Sequence, residues 1–66
     1  MNYIVKFGSV FVASYRPVDG DVVGVGYEWS RKKAKLFDNE ETAREAADKL
    51  NEIFQHSKVR HFVISK

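Results

Sequence analysis

The residues best suited to chemistry in this chain are four basic side chains beside its single tryptophan. Arg31, Lys32, Lys33 and Lys35 follow Trp29 within the stretch YEWSRKKAKLF. Lysine and arginine bind phosphates and carboxylates, and an indole can stack on a nucleic-acid base. Because charge runs are often simply solvated, three interpretations stay open: a solvated turn, contact with an acidic protein surface, and contact with nucleic acid.

The two histidines do not form a recognisable metal or catalytic motif. His56 and His61 are five residues apart in a chain that has no cysteine, and no nucleophile is spaced to pair with either ring. We expect both imidazoles to lie at the surface near the end of a helix, where a positive histidine suits the helix dipole. The sequence therefore predicts no metal, no cofactor and no enzymatic activity.

Paired carboxylates and closely spaced glycines are the remaining chemical candidates. The paired carboxylates are Glu40-Glu41 and Glu45 with Asp48. Glu45 and Lys49 are four residues apart and oppositely charged, which is typical of an ordinary exposed helix face. Gly24-Val25-Gly26 lacks the further glycines and the following helix of a phosphate-binding loop. Both features are predicted to be structural, with the glycines leaving room for a side chain of the neighbouring strand; close approach of a ligand is the alternative.

Composition indicates one small domain that folds by packing. The chain has 66 residues, 11 basic and 9 acidic side chains, and a net charge of +2, which is too even for a nucleic-acid signature. Seven of the nine acids lie between Glu28 and Glu52, which predicts two oppositely charged patches. No apolar run reaches the roughly 20 residues of a membrane span, and residues 1–7 do not resemble a signal peptide, so a cytoplasmic location is predicted.

Period-two alternation predicts three antiparallel strands in the first half of the chain. Gly8-Ser9 and Asp19-Gly20 both suit two-residue hairpin turns. The resulting register pairs Phe7 with Val10, and Val12 with Tyr27. One apolar face of this meander is predicted to carry Tyr3, Val5, Phe7, Val10, Val12, Val25, Tyr27 and Trp29.

A helix and a last strand are predicted to follow. The helix is expected to start at an Asp38 N-cap with Glu41 completing a capping box, and to end within residues 55–57. Its buried stripe is predicted to be Ala43, Ala46, Ala47, Leu50, Ile53 and Phe54. Residues 58–66 predict an edge strand whose facing is left open: either Phe62 and Ile64, or Val59 and Val63, point to the helix.

The predicted fold class is therefore α+β, in the order β-β-β-α-β, as a single domain of residues 1–66. Because one helix covers one side of such a sheet, the other side is predicted to be open. The register places on it Ile4, Lys6, Phe11, Ala13, Tyr15 and Glu28. An aromatic centre with a charged rim is typical of interfaces, while a solvated face with scattered apolar residues is the alternative.

The arrangement of strands, turn and helix resembles small uncharacterised proteins carried by bacteriophages and prophages. The resemblance lies in core and capping positions across nearly the whole chain: Tyr3-Ile4-Val5-Lys6, Trp29-Ser30, Ala34-Lys35-Leu36-Phe37, Asp38, Glu40-Glu41, Ala43 and Ala46-Ala47. It implies a protein that binds a host or phage macromolecule, and some such proteins inhibit bacterial defence systems, including anti-CRISPR proteins. It implies no catalytic residues.

The predicted function is a non-enzymatic protein-binding module, phage-derived, that occludes a partner's surface inside the bacterial host. The predicted contact residues are Ile4, Lys6, Phe11, Tyr15, Glu28, Arg31, Lys32 and Lys33. Homodimerisation through the same face competes with this hypothesis. The alternative from another class is nucleic-acid binding through the basic residues from Arg31 to Lys35 together with Lys58 and Arg60; capture of a small nucleotide by an oligomer is a third.

Overall fold

The computed structural model describes residues 2–66 and shows a four-stranded antiparallel sheet with one α-helix. The elements are β1 (Tyr3–Phe7), β2 (Val10–Val18), β3 (Asp21–Glu28), a single 3₁₀ turn (Arg31–Lys33), α1 (Glu40–Ile53) and β4 (His61–Ser65). The strands lie in the order β3-β2-β1-β4. The predicted α+β class and β-β-β-α-β order are confirmed; Met1, where the predicted domain begins, lies outside the described residues.

Both predicted hairpin turns are present. Phe7 pairs with Val10 across Gly8-Ser9, and Gly8 has a positive φ of 60°. Val18 pairs with Asp21 across Asp19-Gly20, whose φ values of 52° and 84° give the left-handed pair of a type I′ turn. This turn twists in the same sense as the strands that it joins.

The register between β2 and β3 is as predicted up to the pair of Val12 and Tyr27 and differs in the residues of β2 that follow Val12. Val12 pairs with Tyr27 as expected, but Ser14 pairs with Gly26 and not with Val25, because Ala13 is an extra residue on β2. A second irregularity beyond Arg16 restores the register before the turn. Each such bulge exchanges the faces of the residues that follow it.

The sheet opens between β1 and β2, and another part of the chain fills the gap. The described strands pair at Lys6 with Phe11 and at Phe7 with Val10. Farther along, the Lys35 amide donates to the Val12 carbonyl at 2.8 Å, and Tyr3 and Phe37 exchange both backbone hydrogen bonds at 2.9 and 2.8 Å. Residues 35–37 therefore cross the sheet between its two central strands.

This crossing divides the core between the two sides of the sheet. On the α1 side, the buried cluster contains Val5, Val12, Phe37, Ala43, Ala46, Ala47 and Leu50. On the opposite side, a smaller cluster contains Ile4, Phe11 and Ala34, with Ile64 packed against it. The chain thus leaves one side at Ala34 and arrives on the other at Phe37, just before α1 begins.

The helix has a different N-cap from the predicted one. Asn39, not Asp38, caps α1: its side-chain oxygen accepts from the Thr42 amide at 2.8 Å. The predicted stripe is buried from Ala43 to Leu50, whereas Ile53 and Phe54 are exposed because α1 ends at Ile53 and the chain turns away. No helix within residues 2–66 is long and apolar enough to cross a membrane.

The last strand lies at an edge of the sheet, as predicted, and pairs with β1. Val5 faces Val63 and Ile4 faces Ile64 in this register. Val63 packs with the α1-side cluster and Ile64 with the opposite cluster. The open question of facing is settled in favour of Val63 toward the helix, with Phe62 and Ile64 on the other side.

Candidate binding surfaces

The centre of the predicted open side is covered within the protein. Ile4 has no exposed surface and Phe11 is only 8 % exposed, because Ala34 and the 3₁₀ turn before it lie over them. Neither side chain is accessible to a partner in this conformation. The prediction that they form an exposed docking patch is wrong, since a short irregular segment and not a second helix closes this side.

Tyr15 was predicted on the same open side and lies on the opposite one. The bulge at Ala13 exchanges the faces of β2 beyond it, so that Tyr15 packs toward the α1-side cluster. Its ring centroid is 6.4 Å from that of Phe37. Alternation alone gave the wrong face because a bulge adds one residue without changing the composition of the strand.

Of the remaining predicted contact residues, Lys6, Glu28 and Lys33 share the side opposite α1, and Arg31 and Lys32 are exposed in the 3₁₀ turn. Lys6 and Glu28 flank Phe11 in the sheet, and the Lys6 ammonium lies 5.8 Å from the centre of the Phe11 ring. Lys33 approaches Glu28 at 3.8 Å, a weak exposed ion pair. The Arg31 guanidinium donates to the Ser65 carbonyl at 3.3 Å. The 3₁₀ turn thus spans this side of the sheet and presents its cations to solvent.

Trp29 is the most exposed large apolar side chain among the described residues. It was predicted on the buried face opposite Val10, but β3 ends at Glu28 and the indole is 76 % exposed. Arg31, Lys32 and Lys33 follow it and are all exposed. We call residues 29–33 the basic turn. It combines an unburied indole, just after the end of β3, with three exposed cationic groups.

Lys35 does not belong to this surface. Its side chain is half-buried on the α1 side, with its ammonium 5.6 Å from the centre of the Phe37 ring. Lys58 and Arg60 lie just before β4, at the end of the sheet where Phe7 pairs with His61, whereas Arg31 reaches Ser65 at the other end of β4. The six basic residues of the nucleic-acid hypothesis therefore do not form one continuous patch.

A groove lies on the α1 side of the sheet, between the helix and the β2–β3 hairpin. The helix packs mainly against β4 and β1, so the β2–β3 hairpin extends beyond it and leaves a cleft of about 460 Å³. Tyr15, Pro17 and Gly20 line the hairpin side. The helix contributes Thr42, Glu45, Ala46, Asp48, Lys49 and Glu52. We call this cleft the acidic groove, because three carboxylates face one ammonium.

Tyr15 supplies the aromatic floor of the acidic groove. Burial raises the pKa of its hydroxyl, and the negative charge of Glu45 raises it further. The phenol therefore stays protonated at neutral pH and is available as a hydrogen-bond donor. A second cleft of about 330 Å³ continues past Tyr15 and Pro17 toward Leu36 and Phe37.

His61 was predicted at the surface and is buried. It is 4 % exposed, and its ring stacks on Phe7 at a centroid distance of 4.0 Å. The Asn51 side chain pairs with the His61 backbone: Asn51 Nδ2 donates to the carbonyl at 3.0 Å and the amide donates to Asn51 Oδ1 at 2.6 Å. This backbone pairing fixes the orientation of the Asn51 amide, since N–H groups can only donate.

The same contacts fix the protonation of the imidazole. Asn51 Oδ1 lies 2.9 Å from His61 Nδ1 and can only accept, so Nδ1 carries the proton. Nε2 then accepts from the Tyr27 hydroxyl at 2.6 Å. Burial, with a smaller contribution from Arg60, lowers the pKa of His61 to about 4. The imidazole is neutral at pH 7, with both nitrogens hydrogen-bonded.

Tyr27 and His61 are residue types that act as general acids and bases, but here a substrate cannot reach the imidazole, which is enclosed by aromatic rings. The rings of Phe7, Tyr27 and Phe54 lie within 6 Å of the imidazole centroid, at 4.0, 5.8 and 5.8 Å. The other histidine, His56, is exposed beyond the helix end. No group of three or more metal-ligating side chains comes together within residues 2–66. No sequence signal identified this site, because Asn51, Tyr27 and His61 meet only in three dimensions.

Comparison with known proteins adds no relative. No protein-family model, curated protein or solved structure matches the chain.

Proposed function

We propose that this protein is a non-enzymatic protein-binding module that contacts an acidic region of a partner through the basic turn. The observation that carries the proposal is the 76 % exposure of Trp29 beside three solvent-exposed cationic side chains. Tryptophan and arginine are the residue types most enriched where binding energy concentrates. The bulk of the predicted open side is excluded from the contact because Ile4 and Phe11 are covered.

The two parts of the basic turn have different roles in this proposal. The indole is the anchor, since a tryptophan buries roughly 150–250 Å² when it enters a partner's pocket. Arg31, Lys32 and Lys33 speed encounter and select an acidic partner, because long-range charge acts mainly on the association rate and on specificity. Lys6 and the half-exposed Phe62 extend the surface along the same side of the sheet.

The buried position of His61 supports the non-enzymatic part of the proposal. A general base must come within hydrogen-bonding reach of its substrate, and the enclosed imidazole is occupied by Tyr27 and Asn51. The pair accounts for stability without a catalytic role.

The test is capture of partners from bacterial lysate by the tagged protein. Trp29→Ala, and separately the triple variant Arg31→Glu, Lys32→Glu and Lys33→Glu, should each lose the captured protein. Leu36→Ala is the matched apolar control, and Arg16→Glu with Lys58→Glu and Lys66→Glu is the matched charge control; both alter exposed residues outside the turn. Equal capture by folded Trp29→Ala and wild type would overturn the proposal.

Nucleic-acid binding is the second candidate, favoured by the same exposed indole next to cations. The test is fluorescence anisotropy with a labelled single-stranded oligonucleotide at about 50 and about 200 mM salt. In a plot of log affinity against log salt concentration, each neutralised phosphate of a single strand contributes a slope of about −0.7. Three cations therefore predict a slope near −2. Weak, salt-independent binding would remove this candidate in favour of a protein partner.

The wider context stays a prediction. Origin in a bacteriophage, inhibition of a bacterial defence system such as CRISPR-Cas, a cytoplasmic location in the bacterial host and capture of a small nucleotide rest on the sequence alone. Identification of the captured partner by mass spectrometry tests the first three together, and a thermal-shift screen with nucleotides tests the last.

A further inference from the structure

The protein carries both a protruding basic surface and a concave acidic one. The basic turn, residues 29–33, exposes an indole and three cations. The acidic groove is lined by the rings of Tyr15 and Pro17 and by the carboxylate residues Glu45, Asp48 and Glu52. We propose that the acidic groove binds the basic turn of a second copy of this chain. This rests on the proposed function, since it names one partner of the same turn.

The size of the acidic groove suits a single aromatic side chain with its neighbours. Its volume of about 460 Å³ lies within the roughly 300–1,000 Å³ of sites that enclose small organic ligands. Aromatic rings pack against one another in offset or edge-to-face arrangements, so Tyr15 offers the entering Trp29 a specific contact. Pro17 and Ala46 complete an apolar floor.

Charge complementarity selects this occupant over an acidic or a neutral one. Glu45 and Glu52 line the groove together with Tyr15, and the negative charge of Glu45 acts on the Tyr15 hydroxyl. A guanidinium that enters the groove meets both these carboxylates and the face of an aromatic ring, which together attract cations. Among the described residues that line the groove, Lys49 is the one cation, and its side chain is exposed and able to turn away.

The positions of the two surfaces determine the kind of assembly. The 3₁₀ turn lies on the side of the sheet opposite α1, and the acidic groove lies on the α1 side. A turn-to-groove contact therefore joins different surfaces of the two copies. Such a contact is heterologous and leaves one turn and one groove free, so assembly continues into open chains or closes into a ring.

Self-association also hides Trp29 from other partners. At high concentration the turn of most copies is occupied by the groove of a neighbour. A partner protein then competes with the protein itself for the basic turn, and a variant without the groove should bind that partner at least as well as wild type.

Sedimentation velocity of the full chain from about 10 μM to about 1 mM protein tests the proposal in the range of weak self-association. Wild type should show an average mass that rises past the dimer at low salt and falls as salt is added. Trp29→Ala and the groove variant Glu45→Lys with Glu52→Lys should each stay monomeric. Asp21→Lys with Glu41→Lys makes the same charge change at exposed positions outside the groove and should assemble like wild type.

Mixing the two deficient variants gives the sharpest result. Trp29→Ala keeps an intact groove and the groove variant keeps an intact turn, so an equimolar mixture should form one-to-one pairs and nothing larger. Circular dichroism establishes that each variant is folded. Wild type that stays monomeric at low salt, assembly that persists in the groove variant, or a mixture that stays monomeric would each overturn the proposal.

The outcome is separable from that of the proposed function. If wild type is monomeric but Trp29→Ala loses a lysate partner, the groove proposal fails and the proposed function stands. If the chain assembles and captures nothing through the turn, self-association is the sole use of that surface.

Discussion

The Tyr27 hydroxyl donates to His61 Nε2 at 2.6 Å and so joins the two edge strands of the sheet, β3 and β4. Three strand spacings of about 4.8 Å separate these edges in a flat sheet, and the two side chains reach across β2 and β1 to meet. Phe7 lies beneath them, with ring centroids 5.4 Å from Tyr27 and 4.0 Å from His61. The bond closes the end of the sheet over an aromatic cluster.

Removal of the Tyr27 hydroxyl should destabilise the fold. Tyr27→Phe keeps the ring but leaves His61 Nε2 buried without a donor, which costs about 1–3 kcal/mol of unfolding free energy. Urea unfolding measures the loss. Tyr15→Phe is the matched control and should change the free energy by less than about 0.5 kcal/mol, because that hydroxyl lies in an open groove. Equal stabilities of Tyr27→Phe and wild type would contradict the assignment.

Stability should depend on pH through His61. Its pKa is lowered from 6.5 to about 4 in the folded state, so between these values the unfolded chain binds a proton that the folded protein does not. The neutral His61 therefore contributes about 3 kcal/mol to the free energy of unfolding. This contribution is complete above pH 6.5 and is lost as the pH falls toward 4.

The measurement is the urea midpoint from pH 7.5 down to about pH 5, above most carboxylate titrations. His61→Gln should flatten the profile in this window. His56→Gln is the matched control, because it makes the same substitution at an exposed position. A wild-type profile as flat as that of His61→Gln would show that the imidazole is not held neutral.

Ala34 is needed to bury Ile4 and Phe11 on the side of the sheet opposite α1. This residue is 6 % exposed and packs on Ile4 and Phe11, so Ala34→Asp buries a carboxylate without a partner. The expected loss is at least about 3 kcal/mol, measured by thermal or urea unfolding. Leu36→Asp, two residues away and half exposed, should be nearly neutral. If Ala34→Asp and Leu36→Asp had equal free energies of unfolding, this side of the sheet would be open to solvent.

The second hairpin turn requires left-handed backbone at Gly20. Its φ is 84° and a Cβ there would contact nothing within 4 Å, so Gly20→Ala should cost about 1 kcal/mol through backbone strain alone. Gly24→Ala is the control: its Cβ would lie 3.8 Å from the Arg16 Cβ, an ordinary contact. Gly24→Ala should therefore be neutral or slightly stabilising. The urea midpoints of the two variants test this difference, and equal midpoints would argue against a type I′ turn.

Local patterns in the sequence predict most of the fold, because they act over a few residues. The two turns, the start of each strand pairing, the Ala43 to Leu50 stripe and the edge position of β4 all follow from such patterns. The bulge at Ala13 does not, since nothing in the composition of β2 marks an extra residue. That single residue moves Tyr15 to the α1 side and creates the aromatic floor of the groove.

The candidate surfaces were harder to predict because each depends on contacts between distant residues. The basic residues were identified from the sequence, but Trp29 was assigned to the core by extending a regular register past the true end of β3. A single helix predicts that Ile4 and Phe11 are exposed, because no second helix covers them, yet both are buried. The passage of residues 35–37 between β1 and β2, which brings Ala34 over them, is not encoded in any local pattern.

Trp29 is proposed as a free anchor that becomes buried on binding, and its own fluorescence reports on that burial. Trp29 is the single tryptophan, so all indole emission comes from this site. In dilute protein the emission should be that of a water-exposed indole, fully quenched by acrylamide. Addition of the captured partner should shift the emission to shorter wavelength and protect it from the quencher. An indole that is already shielded in dilute protein, or that stays fully quenchable in the complex, would rule out Trp29 as the anchor.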